Sequence, residues 1–347
     1  MPSGVRRRIS PLALLLLLAW LPEPTAALRV EVLRSVGGLP PRIVGTFEEP
    51  IAFQQAPSGV YYVFDRRGHS VHAIDAGRRE SRKIVDIGQE AGRIIQPTGF
   101  DVAPNGQFVV ADVPRAEQRI QTFDAAGQRL RGFALPGQPA ARVILGPLML
   151  NGASSVQHTG ESLLISHPES GALVTEYSTS GYAMRSFGNL RATGFESDRE
   201  LHIAMNTGLP LTDPRGGYYY VFITGRPVFR KYDEKGALVF ERHIEGREVD
   251  AFLSDQPTQW PRRRLQDREV PFVNPVIRAA VVGPEGELWI SLAVPYTYVY
   301  DADGDKARTI QFEGAGIISP TGLSFSSNGR LLVTPGCYEF DVEAGHR

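Results

Sequence analysis

The chain has 347 residues, of which 42% are hydrophobic and 22% charged, and its formal net charge at pH 7 is −1. This balance lacks the basic excess expected of a nucleic-acid-binding protein, and the single cysteine, Cys337, excludes a disulfide within the chain. The 36 glycines and 26 prolines favour a structure with many short turns.

The N-terminal 27 residues have the three parts of a secretory signal. Arg6, Arg7 and Arg8 precede an apolar run at residues 12–21, and small residues follow up to Ala27. Cleavage there would leave 34 basic and 37 acidic side chains, a formal charge of −3. We therefore expect an exported protein, periplasmic or secreted, without stable membrane insertion. An uncleaved membrane anchor is the alternative.

Residues 97–133 contain four short strand-like pieces separated by turns. The pieces lie at residues 100–103, 107–111, 119–123 and 128–133. The third piece alternates with a period of two, which indicates a strand, and Asn105-Gly106 supplies the backbone freedom of a tight hairpin. A four-stranded meander of about 40 residues buries too little surface to be stable alone, so similar neighbours are expected.

The same plan recurs along the chain. Residues 49–88 match residues 97–133 in three blocks at one constant offset, and looser copies lie at residues 150–188, 198–246 and from Asn274 onward. The fourth copy is predicted to have its first hairpin enlarged by residues 207–217. A sixth copy, residues 320–342, supplies only three strands, so residues 28–33 are predicted to provide its missing outer strand and close the ring.

The pattern at residues 97–127, PTG…PNG…VVAD…RIQTFD…G, resembles the NHL repeat of six-bladed β-propellers. The resemblance implies an all-β, six-bladed β-propeller of four-stranded antiparallel blades around a central channel. Residues 28–347 would then form one domain, closed by the N-terminal strand and expected to be a monomer. The fold alone implies no activity, since it serves ligand binding, protein binding and catalysis alike.

In such a meander, the second-to-third-strand turns and the connections between blades lie at the same end of the ring. We therefore expect ligand-binding residues at that channel mouth, either at the starts of blades or in these turns and insertions. The candidates are Glu49, Gln96, Asn151, His202 and Asn274 at blade starts, Arg115 and Arg226 in turns, and Trp260 in an insertion. A water-filled mouth with no specific ligand is the alternative.

The longest insertion, residues 247–272, joins the fourth and fifth copies and is predicted to reach the same rim. Its Trp260-Pro261 is followed by Arg262, Arg263 and Arg264. Aromatic and arginine side chains together suit a protein partner or a small anionic ligand. The alternative is a solvated flap whose tryptophan covers a blade edge.

Signals for catalysis are weak. The sequence has no HExxH, paired CxxC, phosphate-binding loop or GxSxG, and the acidic run at residues 301–305 lacks the distal glutamate of a calcium loop because position 312 is Phe312. Glu49-Pro50 resembles the metal-binding glutamate of calcium-dependent lactonases, although the Asn-Asp motif of that family is missing from the middle blades. We expect a binding or scaffold module without a cofactor. The alternative is a metal-dependent, lactonase-like hydrolase or a lyase that uses calcium or zinc at the channel mouth.

Overall fold

The structure is a computed structural model and describes residues 29–136, 142–145, 148–151, 153, 155–265 and 268–342. The expected signal segment, residues 1–27, lies outside the described residues. Within the part of the chain that is described, no helix is long and apolar enough to cross a membrane.

Nearly all of the regular secondary structure in the described chain is β-strand. The strands are β1 (Val30–Gly38), β2 (Pro50–Gln55), β3 (Tyr61–Asp65), β4 (Ser70–Ile74), β5 (Ser81–Val85), β6 (Gly99–Val102), β7 (Phe108–Asp112), β8 (Arg119–Phe123), β9 (Arg129–Ala134), β10 (Arg142–Leu145), β11 (Leu148–Asn151), β12 (Ser155–His158), β13 (Ser162–Ser166), β14 (Ala172–Ser178), β15 (Ala183–Asn189), β16 (Gly208–Thr212), β17 (Tyr218–Phe222), β18 (Val228–Tyr232), β19 (Leu238–His243), β20 (Arg262–Leu265), β21 (Arg268–Val273), β22 (Ile277–Val282), β23 (Leu288–Leu292), β24 (Thr297–Tyr300), β25 (Lys306–Glu313), β26 (Ile317–Ile318), β27 (Gly322–Phe325), β28 (Leu331–Thr334) and β29 (Tyr338–Phe340). The short α-helices are α1 (Pro41–Val44), α2 (Arg199–Met205) and α3 (Arg247–Ser254), and single 3-10 turns cover Pro114–Ala116 and Pro168–Ser170.

Four sets of consecutive strands form separate four-stranded antiparallel sheets: β2–β5, β6–β9, β12–β15 and β16–β19. In each of these sheets the second strand is the most buried. All five residues of β3, β7 and β13 are buried, because both faces of these strands pack against other blades. Short continuous apolar runs between turn residues are the sequence pattern of such strands.

The remaining blade strands form one nine-stranded sheet, so four separate blades are seen where the sequence predicted six. Its order is β22-β23-β24-β25-β1-β29-β28-β27, with β26 paired to β25. The two meanders merge because β1 uses both of its edges. Residues 30–34 pair in parallel with β25, whereas residues 35–38 pair antiparallel with β29. Residues 28–33 were predicted to pair with the last three strands. Residues 30–34 pair with β25 instead, and only the following residues, 35–38, pair with β29.

The first strand of every meander lines one central cavity of about 580 Å³. Around it β2 packs beside β6 and β27, β12 beside β6 and β16, and β22 beside β16 and β27. Apolar side chains fill the space between adjacent sheets. Phe64 and Phe100, for example, stack with ring centroids 5.1 Å apart. Burying one such side chain stabilises the fold by about 1.5–3 kcal/mol. The chain folds as an all-β propeller with four-stranded antiparallel blades.

The predicted enlargement of a hairpin by residues 207–217 is wrong. Those residues contain the inner strand β16 and an ordinary turn. The extra length comes earlier, where α2 begins after Asp198, whose carboxylate accepts a hydrogen bond from the Leu201 amide at 3.3 Å.

Candidate functional site

The ring has two different ends. We call the end that carries the connections between blades and the second-to-third-strand turns the loop face. The end that carries the first-to-second-strand turns, such as Pro104-Asn105-Gly106, is called the hairpin face. All of the candidates predicted from the sequence were assigned to the loop face.

A further four-stranded sheet, of order β11-β10-β21-β20, lies at the loop face. Strand β10 follows the β6–β9 blade, and β21 directly precedes β22. The two strands nevertheless pair in parallel through Ile144↔Phe272 and Leu145↔Val273. Insertions from two different places in the ring therefore meet, and we call β10, β11, β20, β21 and α2 together the cap. The sequence predicted the insertion at residues 247–272 but missed β10 and β11, which carry no repeat pattern.

The cap rests on the propeller through an apolar cluster. Helix α2 packs against β10 and β21. Its Leu201, Ala204 and Met205 join Val273, and the half-buried Trp260 packs against them. The same cluster contacts Leu209, a residue of β16 that also lines the central cavity. The cap therefore contacts an inner strand of the ring near the loop-face end of the cavity.

Arginines of the cap hairpin contact the first turn of α2. Arg268 Nη2 lies 2.5 Å from Glu200 Oε1, and Arg262 pairs with Asp198. The Arg263 guanidinium stacks 3.9 Å from the Phe272 ring centroid. Arg264 is exposed and has no ion pair within the described residues. These contacts hold the hairpin in place while all three residues 262–264 stay exposed to solvent.

The predicted candidate Glu49 is part of an ion pair. Both of its carboxylate oxygens contact Arg66, with Arg66 Nε donating to Oε2 at 3.0 Å. The backbone amides of Glu48 and Glu49 each donate to the Asp65 carboxylate at 2.8 Å. Glu49 thereby ties the start of its blade to the turn after β3.

Three other candidates lie beside the cap. Trp260 packs inward, as described above. His202 is in α2, with Nδ1 2.8 Å from Thr193 Oγ1 and 4.0 Å from Glu196 Oε1. Asn274 is half-buried between β21 and β22. The fold thus brings His202, Trp260 and Asn274 to one region.

The other four candidates are exposed, make separate local contacts, or lie outside the described side chains. Gln96 and Arg115 are exposed and have φ angles of +48° and +52°, and Arg115 Nε donates to Gln89 Oε1 at 3.0 Å. Arg226 is exposed, and its carbonyl accepts from Arg191 Nη1 at 2.7 Å. Asn151 ends β11, and its side chain lies outside the described residues. Throughout the described ranges, no three His, Cys, Asp or Glu side chains form a group that could hold a metal ion.

A buried acid–base pair at the loop face was not recognised from the sequence. His167 Nε2 and Glu169 Oε2 lie 3.7 Å apart with side chains only 3% and 4% exposed. Burial lowers the pKa of His167 to about 4 and raises the pKa of Glu169, so both groups are held toward their neutral forms. The only signal in the sequence is the His-Pro-Glu spacing in the turn after β13.

Polar side chains connect neighbouring inner strands around the cavity. Asp101 accepts hydrogen bonds from Gln54 Nε2 at 3.0 Å and from the His158 amide at 2.7 Å, so one carboxylate joins three blades. Gln157 and Ser324 make similar links: the Thr212 amide donates to Gln157 Oε1 at 2.7 Å, and Ser324 Oγ donates to the Phe53 carbonyl at 2.6 Å.

Asp101 makes stability depend on pH. Burial raises its pKa from 3.8 to about 6. Because the folded value is the higher one, its stabilising contribution is complete below pH 3.8 and is lost as the pH rises through 6. Urea unfolding at about pH 4 and pH 7.5 should therefore show a larger loss of stability for the wild type than for Asp101→Asn. Identical pH dependence in the two proteins would contradict this assignment.

No protein-family model matches the chain. No curated protein matches it either. Among solved structures, it is similar to a catalytically inactive virginiamycin B lyase from Staphylococcus aureus with quinupristin, at 8% identity over 82% of this chain and 77% of that one, with a TM-score of 0.49. It is also similar to the WD40 domain of Doa1, at 7% identity over 90% and 98% of the two chains, with a TM-score of 0.49. The Doa1 domain is itself a β propeller. These similarities concern the fold alone.

Proposed function

We propose that this protein is an exported, monomeric propeller of the NHL type that acts as a binding module. In this proposal the nine-stranded sheet consists of two blades joined by β1. Together with the four separate blades, these make six. Support comes from β22–β25 and β27–β29, which repeat the meander order of the separate blades, and from β1, which lies between their outer strands.

The binding surface we propose is the outer edge of the cap, and the partner is an acidic, extended segment of a protein. This proposal rests on the position and composition of strand β20. It is the terminal strand of the cap sheet within the described residues, and it has three consecutive exposed arginines. A free strand edge offers backbone donors and acceptors to an added strand, and arginines pair with carboxylates through two hydrogen bonds.

Charged side chains also protect strand edges from unwanted pairing, so the test needs a matched edge. Strand β9 is the outer strand of its blade and exposes Arg129 and Arg131. Reversing the charge at Arg263 and Arg264 removes two arginines of β20 that have no carboxylate partner within the described residues. Reversing it at Arg129 and Arg131 changes the net charge by the same amount elsewhere.

We expect the Arg263→Glu/Arg264→Glu protein to bind a glutamate-rich decapeptide at least about tenfold more weakly than the wild type. Fluorescence anisotropy at two salt concentrations measures this, and affinity should fall with added salt. The Arg129→Glu/Arg131→Glu protein should bind like the wild type. Equal losses in both variants would mean that only net charge matters and would refute a site on the cap.

We propose no metal or other cofactor for this function. Glu49, on which the hydrolase alternative was centred, already binds Arg66 through both carboxylate oxygens. This ion pair supports a structural role for Glu49.

A further inference from the structure

The central cavity is separate from the cap surface and reaches the opposite end of the ring. At the hairpin face its lining includes turn residues of several blades: Pro104, Thr159, Pro214 and Pro284. At the other end the cap contacts Leu209, which also lines the cavity. The volume of about 580 Å³ is within the range of small-molecule sites.

Three charged side chains from the described residues line this cavity: Asp101, Asp213 and Arg278. Asp101 is bound by Gln54 and by the His158 amide. Asp213 is buried, pairs with Lys231 and lies 3.6 Å from Arg215 Nη2. Both carboxylates thus have partners within the protein.

Arg278 differs from both. It is exposed, lines the cavity, and makes no hydrogen bond or ion pair with any described residue. It lies where the register of β22 against β23 shifts, between Ile277 and Ala279. Bulges of this kind re-aim a side chain and are frequent beside binding sites. Arg278 thus lines the cavity without an anionic partner among the described residues.

We propose that the cavity binds a small organic monocarboxylate, whose carboxylate pairs with Arg278. The guanidinium fork matches a carboxylate through two hydrogen bonds. Half-buried Val102, Leu323 and Phe325 also line the cavity and would contact an apolar body. A monocarboxylate fits better than a phosphate dianion. Asp101 and Asp213 line the same space, and their carboxylates repel a doubly negative ligand more strongly than a singly negative one.

The test uses 4-phenylbutyrate and its uncharged amide as probes, with calorimetry and NMR shift titration on the full chain. The carboxylate should bind, and the amide should bind at least about tenfold more weakly. Arg278→Gln should weaken carboxylate binding at least about tenfold, whereas Arg278→Lys, which keeps the charge but loses the fork, should give an intermediate loss. Arg82→Gln, at an exposed arginine on the outer strand β5, should have no effect.

Thermal unfolding of each variant establishes that it is folded. No binding of 4-phenylbutyrate up to about 10 mM, equal binding of the amide, or an unchanged affinity in Arg278→Gln would each overturn the proposal. The Arg263→Glu/Arg264→Glu protein should bind 4-phenylbutyrate normally, since those residues lie on the cap. The outcome is therefore independent of the proposed peptide site.

Discussion

Replacing Arg119 by alanine is expected to lower the free energy of unfolding by about 3–5 kcal/mol, the cost of leaving a buried charge without its partner. The Asp112 side chain is 0% exposed, with Arg119 Nη2 2.6 Å from Oδ2 and Nε 2.9 Å from Oδ1. Burial raises the pKa of Asp112, and Arg119 opposes that rise. Arg119 also donates to the carbonyls of Gln89 and Arg93, so its loss removes these exposed loop contacts as well.

The matched control is Arg131→Ala in the same blade. Arg131 is exposed and donates one hydrogen bond to Thr179 Oγ1 at 3.1 Å, so its removal should change stability by less than about 0.5 kcal/mol. Urea unfolding of both variants measures the difference. A similar small loss for both would show that the Arg119–Asp112 pair adds little to the fold.

Replacing Leu33 by alanine is expected to cost about 2–5 kcal/mol, the usual range for emptying a leucine site in a core. Leu33 belongs to β1, is 4% exposed and packs in a cluster with Phe312 and Phe340, from the two meanders that β1 joins. The substitution leaves a cavity at that junction. It tests whether β1 is part of the propeller core.

The neighbouring residue provides the control. Val32 lies on the same strand but is 48% exposed, so Val32→Ala should cost less than about 1 kcal/mol. Chemical unfolding followed by circular dichroism compares the two. If Leu33→Ala were no more costly than Val32→Ala, β1 would not join the core and the proposed closure of the ring would be wrong.

Several strands were predicted closely from local pattern. Strand β8 begins and ends at the predicted residues, and β6, β7 and β9 lie within one residue of their predicted bounds. These strands repeat the same plan of apolar runs and Gly-rich turns, and both signals act over a few residues. The propeller fold could therefore be recognised without knowledge of any long-range contact.

Elements without the repeat were predicted poorly. Strands β10 and β11 were missed, and β16 was taken for part of a loop. Strand β1 pairs with β29 only through residues 35–38, whereas residues 30–34 pair with β25, which was not predicted. Strand β10 pairs with β21, more than a hundred residues later in the chain, and no local pattern specifies such a partner. The hydrophobic surface that these insertions bury exists only once the blades have assembled beneath them.

For the candidate residues too, the sequence indicated some features and only the tertiary structure showed the others. Glu49 and Trp260 were singled out by residue type and position. Only the tertiary contacts reveal that Glu49 is paired with Arg66 and that Trp260 packs against the apolar cluster of α2. Arg278 went unnoticed because its neighbours Ile277 and Ala279 are apolar. Its proposed role, as a cavity charge with no ion pair among the described residues, depends on a register shift in β22 and on the side chains of the other inner strands.

By itself, the sequence determined the repeated four-stranded meander and the positions of most turns, because the periodicity of strands and the preferences of turn residues are local. The tertiary structure alone decided how β1 joins two meanders and how two insertions form the cap. Those outcomes depend on pairing between distant edges and on burial between blades, which local sequence does not encode.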